Sequence, residues 1–392
     1  IEWANTGISA CEDGLFLLTD ILKNSKIRRS KLYPSLQEEI NLLRNVVGEY
    51  KDYLKNDLIP NCEGNFACGR DRFELGLKGK SFIDFSPEEI YAFGIKLFDE
   101  TKKDIEDLIS DTNYSYKGYL NMLKRNPSSK QDIFDKYVKY TSDALHFMQD
   151  HDLVSLDFDE YLEITNVPKF MAREFPFGAY GLPPLVGEQK GVLFINSETE
   201  SSRLEQTNAF IKLTALHEGY PGHHLQCSLA NLLARERGSS WVNLLNESST
   251  MYEGWAVYCE QMMTEQEFIS KKSENFIMLR DRLWRALRVQ LDVDLHCNGL
   301  SYDSAVERMV DELGFTKEAS ELDINWYIEY PTVPAGYAVG WKMINLLREY
   351  EEDRLGNSFD LKNFHDNLIS KGSIGLPLVI ESTFGKEALT HV

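Results

Sequence analysis

Ser202-Arg203-Leu204-Glu205-Gln206-Thr207-Asn208-Ala209-Phe210-Ile211-Lys212-Leu213-Thr214-Ala215-Leu216-His217-Glu218-Gly219-Tyr220-Pro221-Gly222-His223-His224 is the stretch on which the fold turns. Its apolar residues Leu204, Ala209, Phe210, Ile211, Leu213, Ala215 and Leu216 spread around most of a helical wheel rather than along one stripe. A helix of that kind belongs in the middle of a protein, covered by other elements. Ser202 and Glu205 have the spacing of a capping box and predict its start.

Helical patterning extends outward from this segment in both directions. Ser35 to Glu38 reads as a capping box, followed by Leu36, Ile40, Leu43, Val47, Tyr50 and Leu54 at helical spacing. Ser86-Pro87-Glu88-Glu89 predicts another start, with proline at the first helical position and Ile90, Phe93, Leu97, Ile105 and Leu108 behind it. Further helices are expected near 130–150, 224–237, 249–266, 274–297, 303–313 and 338–354. Gly191 to Asn196 reads as one short strand. A break rich in proline and glycine runs from Phe175 to Gly187. It divides an expected N-terminal helical region, 1–175, from a second region, 176–392. The expected architecture is mostly α, with a small β element near 190–196.

Composition narrows the function. The 392 residues carry a formal charge of −20, which argues against nucleic acid and anionic membranes as partners. No run approaches the roughly 20 apolar residues of a membrane-spanning helix, and no signal peptide is visible at Ile1. The expectation is a soluble chain whose compartment the sequence leaves open. Of six cysteines, Cys227, Cys259 and Cys297 fall in apolar helical patterns and are expected to be buried. Cys62 and Cys68 share a short polar loop where a disulfide is feasible.

Three of the eight histidines fall within eight residues, beside Glu218, at the end of the apolar helix. Burying so many ionisable groups without partners is costly, and a metal would offset the cost. Neutral imidazoles with a carboxylate suit zinc. In the common H-E-x-x-H motif two histidines lie one helical turn apart with a general base between them. Here Pro221 occupies the place of the second histidine. Pro221 and Gly222 break the helix, and the break brings a later histidine back towards His217. Geometry at this stage leaves both His223 and His224 open. Glu253, charged within the apolar and aromatic stretch Tyr252 to Tyr258, is the expected third ligand. Gly254 beside it allows close helix approach. Glu260 lies on the same face and is placed to accept a hydrogen bond from a ligand histidine. His146 and His151 read as surface residues.

At these residues the chain resembles the domain of unknown function 885 family, placed near the gluzincin-like metallopeptidases. His217-Glu218-x-x-Pro221-Gly222-His223 is similar to its central signature. Glu253-Gly254-Trp255-Ala256 resembles its downstream glutamate motif. Leu291 to Gly299, with Asp294 and His296, Tyr337-x-x-Gly340, and Phe364 to Leu378 resemble later segments. The resemblance implies a helical, zincin-type fold with zinc at the base of a cleft, and it favours His223 over His224 as ligand.

The expected function is a zinc-dependent hydrolase cleaving a peptide or small amide. His217, His223 and Glu253 would hold the metal and Glu218 would act as general base. Tyr337 would donate to the developing oxyanion, with His296 in reserve. The rivals are an esterase or amidase using the same residues and a non-catalytic helical metal-binding protein. Glu218 speaks against the latter, since holding a metal needs no base. A di-iron bundle needs two Glu-x-x-His pairs, and the sequence has none.

Overall fold

The computed structural model describes residues 1–172, 175, 178–198, 200–238 and 248–392. They group into two compact units, 1–66 with 168–175, and 67–167 with 176–392. Residues 67–167, expected within the N-terminal region, thus group with the C-terminal part of the chain. The proline-rich break lies partly at 176–177, outside the described residues.

The first unit holds α1 (Glu2–Lys23), packed on α2 (Tyr33–Tyr53). The helix at α2 starts ahead of the expected capping box. Leu32 is its N-cap and Pro34 sits in its first turn, so Ser35 lies inside the helix. Proline needs no N–H donor there and already has a helical φ, which moves the start upstream. Its expected apolar face is only partly covered. Ile40 and Leu54 are buried, whereas Leu43 and Tyr50 are exposed.

The second unit contains everything that builds the site. α3 (Pro87–Ile109) begins at the expected capping box, with Ser86 Oγ accepting from the Glu89 N–H at 3.3 Å and Glu89 answering at 2.8 Å. α4 (Lys130–Asp150) follows, then β1 (Tyr161–Asn166), β2 (Ala179–Gly181) and β3 (Lys190–Ile195). The single expected strand is therefore the centre of a three-stranded sheet in the order β1-β3-β2. β1 runs parallel to β3 and β2 antiparallel. Leu193 and Ile195 alternate inwards from β3 and join Ile133 and Tyr137 of α4 in one apolar cluster.

The central helix, α5 (Asn208–Glu218), contributes Ile211 and Ala215 to that cluster. It opens at Thr207, whose side chain accepts from the Phe210 N–H at 3.2 Å, and not at Ser202. The segment Glu200–Glu205 forms a separate short helix. α6 (His223–Glu236), α7 (Ser249–Glu265), α8 (Lys272–Cys297) and α9 (Val333–Leu355) complete the surroundings, and α5 packs against α4, α7 and α8.

The tightest pairing is α7 on α9. A Cβ at Gly254 would lie 2.6 Å from the backbone carbon of Gly340, and a Cβ at Gly340 would overlap the Thr250 carbonyl. Both glycines are required for backbone-to-backbone contact, and that contact sets Glu253 beside Tyr337. All six cysteines are free thiols, Cys62 and Cys68 included. Cys227 and Cys259 are buried, and Cys297 is half-buried. No described helix is long and apolar enough to cross a membrane.

Candidate metal centre

The site begins where α5 stops. Gly219 leaves helical geometry and the Tyr220–Pro221 peptide is cis. The chain folds back so tightly that the Gly222 N–H donates to the Leu216 carbonyl at 3.1 Å. A Cβ at Gly222 would overlap the carbonyl of His217. Trp255 of α7 donates its indole N–H to the Pro221 carbonyl at 2.9 Å and anchors the break. α6 then starts directly at His223. The result is that the His217 and His223 rings stand 4.8 Å apart at 87°.

α7 delivers Glu253 to the same point. Its Oε2 lies 3.5 Å from His217 Nε2 and 3.3 Å from His223 Nε2. Glu253 is 8% exposed, yet Oε2 makes no hydrogen bond. Glu218 is half-buried, and its carboxylate lies within 4.8 Å of an imidazole nitrogen of each histidine. The two histidines with either carboxylate could hold a metal ion.

Acidic groups crowd around His217. Glu260, about two turns further along the same face of α7, contacts His217 Nδ1 at 2.7 Å. Arg285 of α8 donates to the same Glu260 oxygen at 2.7 Å. Burial disfavours a charged His217, but Glu253 and Glu260 outweigh it and push its pKa up to about 10. Burial would raise Glu253, yet His223 and His217 hold its carboxyl well below the ordinary range. The centre as folded calls for positive charge between these groups.

Tyr337 of α9 turns towards Glu253. Burial, and then the Glu253 charge, push its pKa well above the ordinary phenol value. Arg288 of α8 lies over its ring, 4.5 Å from the centroid.

His224 is held in a different network. Its Nε2 pairs with Glu160, and its Nδ1 lies 2.9 Å from the Tyr180 hydroxyl. Tyr220 donates to the same Glu160 oxygen at 2.6 Å. Both nitrogens of His224 are thereby used, one by the residue preceding β1 and one by β2. His224→Ala is expected to keep full metal content, measured by elemental analysis, with weakened packing of the sheet on α6. A variant without metal would place His224, not His223, among the ligands.

His296 is not brought to this cluster. Its Nδ1 accepts from the Cys68 N–H at 3.2 Å and its Nε2 faces the Tyr327 carbonyl at 3.1 Å. Burial lowers its pKa, so it is a neutral core residue with both nitrogens committed to backbone. His146 and His151 are exposed, as expected. Sequence reading missed Glu160, Tyr180 and Arg285. Arg285, charged on the buried helix α8, was the one detectable signal among them.

None of the curated proteins matches this chain. Among the solved structures that share its fold are two bacterial proteins. The putative lipoprotein from Colwellia psychrerythraea aligns with TM-score 0.81 at 18% identity, over 96% of this chain and 66% of that one. A putative lipoprotein of unknown function from Shewanella oneidensis aligns with TM-score 0.72 at 17% identity, over 96% and 73%. This chain therefore spans about two thirds of the length of the Colwellia protein. The model of the family described as "Bacterial protein of unknown function (DUF885)" matches residues 8–382, nearly the whole chain, and the protein belongs to that family.

Proposed function

We propose that the protein is a zinc-dependent hydrolase of the peptidase type, with a zincin-like arrangement of helices around the metal. One observation carries this reading. Zinc–nitrogen and zinc–oxygen bonds of 2.0–2.1 Å in a tetrahedron place neighbouring ligand atoms about 3.4 Å apart. Glu253 Oε2 stands 3.5 and 3.3 Å from the two imidazole Nε2 atoms, too far for good hydrogen bonds and at the distance expected of co-ligands. The buried, unpaired Oε2 then has its partner.

His217, His223 and Glu253 would hold the ion, leaving a fourth position open. When bound, zinc polarises a carbonyl and lowers the pKa of a water towards about 7. Glu218 accepts the proton of the attacking water and passes it to the leaving amine. Glu260 fixes the His217 ring through Nδ1, and Arg285 keeps Glu260 ionised and in place. Tyr337 supplies a hydroxyl donor for the oxygen that gains charge.

Elemental analysis of the purified protein tests the metal, with one zinc per chain expected. Hydrolysis of a mixed peptide library with and without chelator tests the reaction. Cleavage that chelation leaves intact, or a chain that takes up no zinc, would refute the proposal.

Tyr337→Phe removes only the hydroxyl. The expectation is normal zinc content, little change in KM, and kcat lower by about 10²-fold, equivalent to about 2.7 kcal/mol. Loss of zinc instead would make Tyr337 a residue that positions Glu253. Unchanged kcat would leave it with a packing role only.

A further inference from the structure

A cavity of about 260 Å³ opens beside the centre, lined by Lys80, Ser81, Phe82, Ser249, Tyr252 and Thr332 among others. Tyr252 joins the two places, since its ring lies 6.0 Å from that of His223. Ser249 precedes Glu253 by one turn on α7, and Val333, also in the lining, precedes Tyr337 by one turn on α9. Each step is about 6 Å along a helix axis.

The lining is built for an anion. Ser81, Ser249 and Thr332 are 3%, 6% and 3% exposed, and their hydroxyls make no hydrogen bond among the described residues. The α7 N-cap, Ser248, gives no side-chain cap to its helix and spends its hydroxyl on Thr250. The positive end of a 17-residue helix therefore faces this region uncapped. Lys80 forms no ion pair among the described residues, although acids outnumber bases 62 to 42 in the chain. Phe82 and Thr332 both hold positive φ, 58° and 74°. Backbone held this way in residues other than glycine concentrates at functional sites. Asp292 sits behind Thr332 and takes the N–H groups of Thr332 and Ala335 at 3.2 Å each. Burial pushes its pKa up to about 8, against the pull of those two N–H groups.

We infer that this cavity receives the free α-carboxylate and C-terminal side chain of a peptide substrate, so that the enzyme removes residues from the C-terminus. The inference rests on the peptidase reading above. Extended chain spans about 3.5 Å per residue, so a bond cleaved at the centre puts the next one or two residues in the cavity. Its size suits that and not a long peptide. Phe82 and Tyr252 offer an apolar or aromatic residue its contacts, while Lys80, Ser249 and the α7 N-terminus meet the carboxylate.

The test compares Ala-Ala-Phe with its C-terminal amide on the zinc-loaded protein. The free acid should be cleaved at least about 10-fold better in kcat/KM, the size of one charge-assisted hydrogen bond. Lys80→Met, a change at an exposed position, should abolish that preference by raising KM for the acid alone, and Ser249→Ala should weaken it. Equal cleavage of acid and amide, or an equal loss for both in Lys80→Met, would overturn the inference and leave the hydrolase reading intact. Cleavage of neither peptide would count against the peptidase reading. The cavity is then decided by calorimetric binding of the same pair to the zinc-loaded Glu218→Gln protein. Tighter binding of the acid, lost when Lys80→Met is added, supports the inference, and equal binding overturns it.

Discussion

Glu253→Ala is expected to leave the protein folded but without zinc. Only His217 and His223 would remain of the proposed three ligands, one fewer than the three protein ligands that a catalytic zinc site needs. The replaced carboxylate is buried, and its Oε2 makes no hydrogen bond in the protein, so little besides the centre depends on it. Gly254 and Gly340, which set the α7–α9 contact, are untouched. Zinc per chain should fall from near one to near zero on gel-filtered protein, with the helical circular dichroism unchanged. His223→Ala should behave alike. Full zinc occupancy in Glu253→Ala would remove Glu253 from the ligand set.

Glu218→Gln is expected to do the opposite, keeping zinc and losing turnover. Glutamine preserves shape and cannot take a proton. A positioned general base is worth about 10²–10⁴-fold, so kcat should fall by that factor, equivalent to about 2.7–5.4 kcal/mol. Substrate binding should change little, which separates the base from a binding contact. The two variants together assign the carboxylates, because Glu218 and Glu253 both lie near the paired imidazoles. If Glu218→Gln lost zinc and Glu253→Ala kept it, the roles would be exchanged. Near-normal turnover in Glu218→Gln would falsify the mechanism.

The sequence by itself determined the helical architecture, the central place of α5, and the position in the chain where the candidate site lies. These depend on interactions spanning a few residues. The capping box at Ser86 and the break at Pro221 and Gly222 both act within one or two turns. Where two local signals competed, reading failed: Thr207 capped α5 in place of Ser202, and Pro34 drew α2 upstream of Ser35. Only the tertiary structure decided the rest. β1 and β2 became strands because β3 lay between them, with Tyr161 opposite Lys190 and Tyr180 opposite Leu193. His223 faces Glu253 and His224 faces Glu160, two adjacent residues separated by partners that α7 and the start of β1 supply. Arg285 reaches Glu260, and His296 turns to the backbone of Cys68 and Tyr327. A side chain's type announces that it needs a partner once buried, because desolvation is costly. Which partner it meets depends on how distant helices pack, and here that was set by glycines allowing α7 and α9 to touch backbone to backbone.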